Sequence, residues 1–391
     1  MVKDIVVIGG GTAGSRLARQ LAAGAGPAAH VTVLGEETQA PYNRVLLADV
    51  LAGRYGPEVI ALPATEVRRG VRAVRIDRAD RVVQCDDGSA VPYSTLVLAT
   101  GSNPVLPPLR GLGDDLPDGV HPFRTMDDCL ALAAAVTEGT RAVVIGGGLL
   151  GVSAARALAE RGAQVVLTQQ GEHLMERQLD LQASGLLREH LESLGVEVHT
   201  ECRVRGLRGR DVELADGYVL GSDLTVLACG VRPRTGLARA AGLEVRRGVV
   251  VDDELRTSDP HIRAIGDCAE HRGQVYGLAG PALEQADVLA GLLAGEPASY
   301  TGTRALTRLT LQGSGPLDLA AFGETTPLPG DDVVRLADAT RGAYRKVVVR
   351  GDRLVGGVLL GDLTTVDELA RTWEGDEPLP STPLFHLLGG S

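Results

Sequence analysis

Residues 4–21 read DIVVIGGGTAGSRLARQL, and this stretch decides the fold. Ile5, Val6, Val7 and Ile8 are four β-branched residues in a row, which predicts a buried parallel strand. Gly9, Gly11 and Gly14 then fall into the spacing G-x-G-x-x-G. The first glycine permits a tight turn, and the second lets the backbone approach a pyrophosphate. The third lets the following helix pack closely on the strand. A helix from about Thr12 points its first N–H groups, around Thr12 and Ala13, at the phosphates. The next strand, HVTVLGEE at 30–37, delivers Glu36 and Glu37 where a ribose-binding acid belongs.

The pattern recurs at 143–170, VVIGGGLLGVSAARALAERGAQVVLTQQ. Gly146, Gly148 and Gly151 take the same three roles, and Leu149 opens the helix. Two such units predict an α/β protein that binds two dinucleotides. LVLATGSNP at 96–104 is a strand ending in Ala-Thr-Gly, so Thr100 and Gly101 return the chain toward the first cofactor. TSDPHIRAIGDCAE at 257–270 places Gly266 and Asp267 at the end of another buried strand. An aspartate there can accept a hydrogen bond from a ribityl chain; its other reading is a helix N-cap. The order of the four motifs assigns FAD to the first unit and a nicotinamide dinucleotide, NAD(P)H, to the second.

Composition narrows the class. A net charge of −11 over 391 residues argues against a nucleic-acid binder, which carries a basic stripe. No apolar run is long enough to span a membrane. The start, MVKDIVVIGGG, enters a strand at once, so no signal peptide and a cytoplasmic location are expected. Cys85, Cys129, Cys202, Cys229 and Cys268 are scattered without any C-x-x-C, which suits buried small hydrophobes rather than a metal or disulfide framework. The eight histidines, from His30 to His386, show no ligand spacing, so no metal is expected. Only His271, just after Gly-Asp, reads as near the flavin.

More specific stretches surround the glycines: APYNRVLLADVLAG (40–53), FRTMDD (123–128), IGGGLLG (145–151), LMERQLD (174–180), GVRP (230–233) and YRKVVVRGDRLVGGVLLGD (344–362). With these the whole chain resembles the two-dinucleotide flavoprotein oxidoreductases related to glutathione reductase. It is most similar to the flavin module of NAD(P)H-dependent nitrite reductases and to rubredoxin reductases. The resemblance implies two Rossmann-like dinucleotide-binding domains plus a C-terminal α+β domain. Residues 1–113 and 236–301 would form a split FAD domain, 114–235 the NAD(P) domain, and 302–391 a cap or interface domain through which a homodimer could form. It also adds Arg44 and Ala73 to the FAD contacts and Gly230 to the weaker NAD(P) set. The residues themselves support a boundary near 300: GEPASYTGT (295–303) is turn-rich, and RKVVVRGDRLVGGVLL (345–360) reads as a hairpin about Gly351-Asp352.

By that resemblance the chemistry is hydride transfer from a reduced nicotinamide to the flavin, then electron transfer to an acceptor. Relatives that act through thiols carry cysteine near the segment EETQAPYNRVLLADV, and this chain has none there. The flavin is therefore expected to be the redox group, with no catalytic side chain assigned. Full nitrite reductases continue into cysteine-rich iron–sulfur and sirohaem segments. Residues 1–391 contain neither, so the acceptor is expected to be a small redox protein or a separate reductase component.

Two acids expected from the resemblance are missing. The second nucleotide strand ends in Thr168, Gln169 and Gln170, where NADH-using members have an acid matched to Thr168. Loss of that charge-assisted bond weakens binding by about 1.5–3 kcal/mol, roughly tenfold to a hundredfold. Ser153 replaces a glutamate that approaches the nicotinamide carboxamide, and Asp49 stands where a lysine pairs with it. A rival reading follows: a flavin oxidase or dehydrogenase that acts on a small organic substrate and has a degenerate second site. A third, a non-catalytic FAD-bound protein, leaves the second glycine turn without a task. VYGLAGPALEQADVLAGLL (275–293) predicts a helix from near Pro281 aimed at the flavin pyrimidine, and Trp373 reads as packing.

Overall fold

The computed structural model describes residues 3–24, 29–63, 66–113, 115–312, 315–338 and 340–379. Two compact units emerge. Met1–Leu47, Tyr55–Asn103 and Val231–Thr303 make the first; Ala48–Arg54, Pro104–Gly230 and Arg304–Ser391 make the second.

The first unit is built on a five-stranded sheet in the order Ile262–Ala264, Thr95–Leu98, Lys3–Ile8, Ala29–Gly35, Val67–Arg69. All four pairings are parallel. Ile5 to Ile8 are buried because a parallel sheet is covered on both faces. The helices Thr12–Gly24 and Ala279–Ala294 pack against one another and contribute Leu17, Leu21, Ala286 and Leu289 to the same core. The second helix starts at Ala279, so Pro281 sits within its first turn, where its missing N–H leaves no intrahelical bond unmade. A small antiparallel sheet, Ala73–Asp77, Val82–Cys85 and Ala90–Pro92, follows the third strand.

The second unit contains the same plan again. Its parallel sheet runs Val196–His199, Gln164–Thr168, Arg141–Ile145, Leu224–Leu227, Val120–Pro122. Here too a three-stranded antiparallel sheet, Val204–Arg208, Asp211–Leu214 and Val219–Leu220, is inserted after the third strand of the nucleotide fold. The unit also holds a five-stranded antiparallel sheet, Leu306–Leu311, Leu317–Gly323, Arg353–Leu360, Ala343–Arg350, Asp332–Asp338, with the helix Val366–Gly375 against it. The expected hairpin turns at Gly351 and Asp352, with Gly351 at φ 62°. Trp373 lies in this core beside Phe322, ring centroids 5.2 Å apart. A buried polar cluster fastens the antiparallel sheet to the nucleotide fold: Lys346 Nζ donates to Asp180 at 2.7 Å and to the Thr325 carbonyl at 2.8 Å, and Tyr344 donates to Asp180 at 2.8 Å. No helix among the described residues is long and apolar enough to cross a membrane.

Candidate dinucleotide sites

Each glycine turn sorts its three glycines into two kinds. A Cβ on Gly9 would stand 2.0 Å from the Ala99 carbonyl oxygen, and one on Gly14 would stand 1.9 Å from that of Gly9. These two glycines are demanded by the protein's own backbone. Around Gly11, by contrast, no protein atom lies within 4 Å of where a Cβ would be. The second turn repeats this: Gly146 would meet Ala228 O at 2.5 Å, Gly151 would meet Gly146 O at 1.7 Å, and Gly148 meets nothing within 4 Å. Gly148 has φ −80°, which any residue adopts, so neither strain nor packing explains it. What fits is a ligand that lies against the backbone. The helix Leu149–Glu160 begins there with no side-chain cap, leaving its first N–H groups for an anion. A pyrophosphate suits both turns, so the residues present fit FAD and NAD(P)H.

In the first unit the motifs converge. Gly266 lies against both helices: its Cβ would be 3.1 Å from Ala13 Cβ and 3.8 Å from Ala282 Cβ. Its N–H donates to Gln285 at 2.8 Å. Asp267 accepts a hydrogen bond from Ser102 Oγ at 2.8 Å, and the helix Ala279–Ala294 is preceded by Leu278, so Asp267 does not cap it. Thr100 Oγ1 donates to the Arg234 carbonyl at 2.8 Å, and Arg234 N–H returns to Gly101 O at 2.9 Å. Arg234 in turn grips Glu36 through two bonds, one of them 2.7 Å. Glu37 accepts from Tyr42 at 2.6 Å and from Arg44, whose guanidinium stacks 4.9 Å over the Tyr42 ring. Burial alone would lower the Arg44 pKa, but Tyr42, Glu37 and Asp267 outweigh it and raise the value. Arg44 is thus a charge held within reach of the Asp267 field. Ala73 is placed apart, in the antiparallel sheet, half-buried against the core.

The second unit differs at its strand end. Gly9 N–H bonds Leu34 O and Gly146 N–H bonds Thr168 O, both at 2.8 Å, which sets Thr168 level with Leu34 and Gln170 level with Glu36. The Thr168 side chain is buried, and its hydroxyl donates to Val144 O at 3.3 Å. Both faces of this strand are covered, Leu167 and Thr168 alike, which leaves Gln169 and Gln170 beyond its end as the accessible neutral side chains. The Ser153 hydroxyl is also buried and donates back to Leu149 O at 2.8 Å. Gly230 has φ 99° and open space where a Cβ would point.

Sequence reasoning missed Arg156. It is nearly fully buried and donates to Asp49 at 3.0 Å, to Glu160 and to Gln312 O. Asp49 thus does find a partner of opposite charge, on the helix one turn beyond Ser153. A charged residue inside the apolar run LLGVSAARALA was the available signal. His271, expected near the flavin, is buried with Nε2 2.8 Å from Asp253 and its ring 4.8 Å from Tyr300. His386 lies outside the described residues. Among the described residues no cluster could hold a metal, and none of the five cysteines forms a disulfide. Burial pushes the Cys129 thiol up to about 12 and Cys229 up to about 11, so neither offers a thiolate at neutral pH.

Comparison with known proteins agrees with this architecture. A model of the pyridine nucleotide-disulphide oxidoreductases matches residues 3–286, and one of the rubredoxin NAD+ reductase C-terminal domain matches 309–374. The nitrite reductase [NAD(P)H] of Bacillus subtilis (strain 168) is 35% identical over 99% of this chain and 49% of its own length. The ferredoxin–NAD(+) reductase component of the biphenyl dioxygenase system of Paraburkholderia xenovorans is 33% identical over 69% of this chain and 68% of its own. Among solved structures, the putidaredoxin reductase–putidaredoxin complex superposes with a TM-score of 0.86 at 25% identity, covering 99% and 98% of the two chains. The chain belongs to the pyridine nucleotide-disulphide oxidoreductase family, whose cofactors are FAD and NAD(P)H. It spans about half the length of the nitrite reductase relatives it matches.

Proposed function

We propose that this protein oxidises NAD(P)H and passes the electrons, through FAD, to a separate acceptor of the ferredoxin, rubredoxin or nitrite-reductase type. The observation that carries this reading is the repeated turn whose middle glycine, Gly11 or Gly148, is required by no atom of the protein. When bound, FAD supplies the redox chemistry, taking a hydride from a reduced nicotinamide and releasing electrons onward. We assign residues 1–113 and 236–301 to FAD, 114–235 to the nicotinamide dinucleotide and 302–391 to a cap or interface.

Within the FAD part, Gly9, Gly11, Thr12, Ala13 and Gly14 receive the pyrophosphate with backbone N–H groups. Glu36 takes the ribose, Asp267 the ribityl chain, and Arg44 supplies a positive charge beside them. Thr100, Gly101 and Gly266 shape the backbone around the same ligand, with Ala73 at its margin. In the second part Gly146, Gly148, Leu149 and Gly151 receive the pyrophosphate of the donor, and Gly230 leaves room at the facing strand end. A cysteine is absent from residues 36–50, which supports electron release without a thiol relay. Five cysteines without a disulfide suit a reducing, cytoplasmic location, and a homodimer through 302–391 would register as doubled mass in sedimentation.

The test is anaerobic titration of the FAD-loaded protein with NADH and, separately, NADPH, following loss of the flavin's visible absorbance. Bleaching by either supports the reading. Bleaching by dithionite alone overturns it in favour of an oxidase reduced by its own organic substrate.

A further inference from the structure

The second nucleotide turn lacks an acid on its strand, but the chain folds one back onto it. After Gln170 the segment turns sharply, and Met175, buried and at φ 52°, donates its N–H to the Gly147 carbonyl at 2.9 Å. A left-handed backbone at a non-glycine residue is held only where the surroundings insist on it. The next residue is Glu176. Its carboxylate accepts from the Glu172 N–H at 2.9 Å and from Gln169 Nε2 at 3.2 Å. Gln169 completes the link, accepting the Gly147 N–H at 2.8 Å through Oε1. A Cβ on Gly171 would stand 2.1 Å from the Glu176 carboxylate, so glycine at 171 is what admits it. The nucleotide turn, the amide and the carboxylate therefore form one connected chain of hydrogen bonds.

We propose that Glu176, relayed by Gln169, is the donor-selecting acid of this site: it favours a nicotinamide dinucleotide with free 2′ and 3′ hydroxyls on the adenosine ribose and rejects the 2′-phosphorylated form. This rests on the reading that the second half binds such a dinucleotide. The carboxylate and the amide offer acceptors and a donor to a diol. A 2′-phosphate would instead bring a second anion against Glu176, with Glu172 as its chain neighbour across the turn. Among the described residues no cation pairs with Glu176. The opposing candidate is Arg177, exposed and next in sequence, which would favour a 2′-phosphate if it turned inward.

The experiment is calorimetric binding of ADP-ribose and of 2′-phospho-ADP-ribose to the oxidised, FAD-loaded protein. ADP-ribose is expected to bind roughly tenfold or more tightly than the phosphorylated form. Glu176→Gln keeps an acceptor for the Glu172 N–H, so the loop retains its shape while the charge is lost; it should bring the two affinities within roughly threefold. Glu176→Arg should reverse the order. An unchanged melting temperature in both variants shows that the fold is intact. Equal affinities in the unmodified protein, a preference for the 2′-phosphate, or full discrimination retained by Glu176→Gln each overturns this assignment alone. No binding of either probe overturns the donor reading and this one with it.

Discussion

The two halves of the molecule fold alike and end their second strands differently. Each has five parallel strands in the same spatial order, the same glycine turn and an antiparallel insertion at the same point. The first half ends its second strand in Glu36 and Glu37, each gripped by an arginine. The second ends in two glutamines and borrows a carboxylate from position 176. The comparison separates what the fold imposes from what a ligand selects. The glycines that meet backbone are common to both halves; the charges at the strand ends are not.

The sharpest way to break the comparison is the same substitution in both halves. Gly14→Ala and Gly151→Ala each drive a methyl into a backbone oxygen that cannot yield, at a cost of about 1–3 kcal/mol or more. Gly14→Ala should purify without flavin, whereas Gly151→Ala should stay yellow and lose roughly a hundredfold in the rate of reduction by its nicotinamide donor. Flavin absorbance relative to protein reads the first, stopped-flow bleaching the second. Loss of flavin in both variants would show that the halves do not act independently.

Lys346→Met asks how far the second half depends on the antiparallel sheet. Removing one partner of a buried pair destabilises by about 3 kcal/mol, and thermal melting should detect it. Burial alone would raise the Asp180 pKa, but the Ala183 N–H, Lys346 and Tyr344 outweigh it and hold the carboxyl below its ordinary range. The folded value being depressed, this stabilisation is fully present above the unfolded carboxylate pKa and is lost as the pH falls through the folded value. Melting curves from neutral pH down through the acid range should therefore converge for the parent and the variant.

Gly11→Ala and Gly148→Ala are milder and more telling. No protein atom resists either methyl, so the melting temperature of the ligand-free protein should not move. FAD affinity for the first and nicotinamide-dinucleotide affinity for the second should each fall roughly tenfold. A drop in ligand-free stability would instead mean that these glycines serve the fold. Smallest of all, Ser153→Ala removes only a hydroxyl bonded to its own helix, and stability should change by less than about 0.5 kcal/mol. The rate of flavin reduction should stay within twofold, by the same free-energy scale; a larger loss would return Ser153 to the site.

What could be read beforehand was local. Strand, turn and helix follow within eighteen residues of one another in DIVVIGGGTAGSRLARQL, so composition and spacing suffice. The Gly351-Asp352 hairpin was legible for the same reason. That Thr168 is buried was not, because where the cover over a parallel strand ends depends on what packs on both of its faces. The partner of Ser153 was not legible either, because a serine in a helix can turn its hydroxyl outward or satisfy it on the carbonyl one turn back. Arg156 and the Lys346–Asp180 pair depend on residues more than a hundred positions away, and no periodicity announces such a pairing. Glu176 fell between: its residues are close in sequence, but only the fold-back at Met175 brings it to the turn.

One feature of the first unit bears on how such a chain could arise. Gly101 and Arg234 are joined by a backbone hydrogen bond, although the second glycine turn and both of its sheets of nucleotide-fold strands lie between them in sequence. The exit and re-entry points of that long excursion are thus neighbours, the geometry in which an inserted domain leaves its host undisturbed. Where the chain returns, Val231–Pro233 pairs with Ser102–Pro104, and the grip of Arg234 on Glu36 stitches the interrupted host together again.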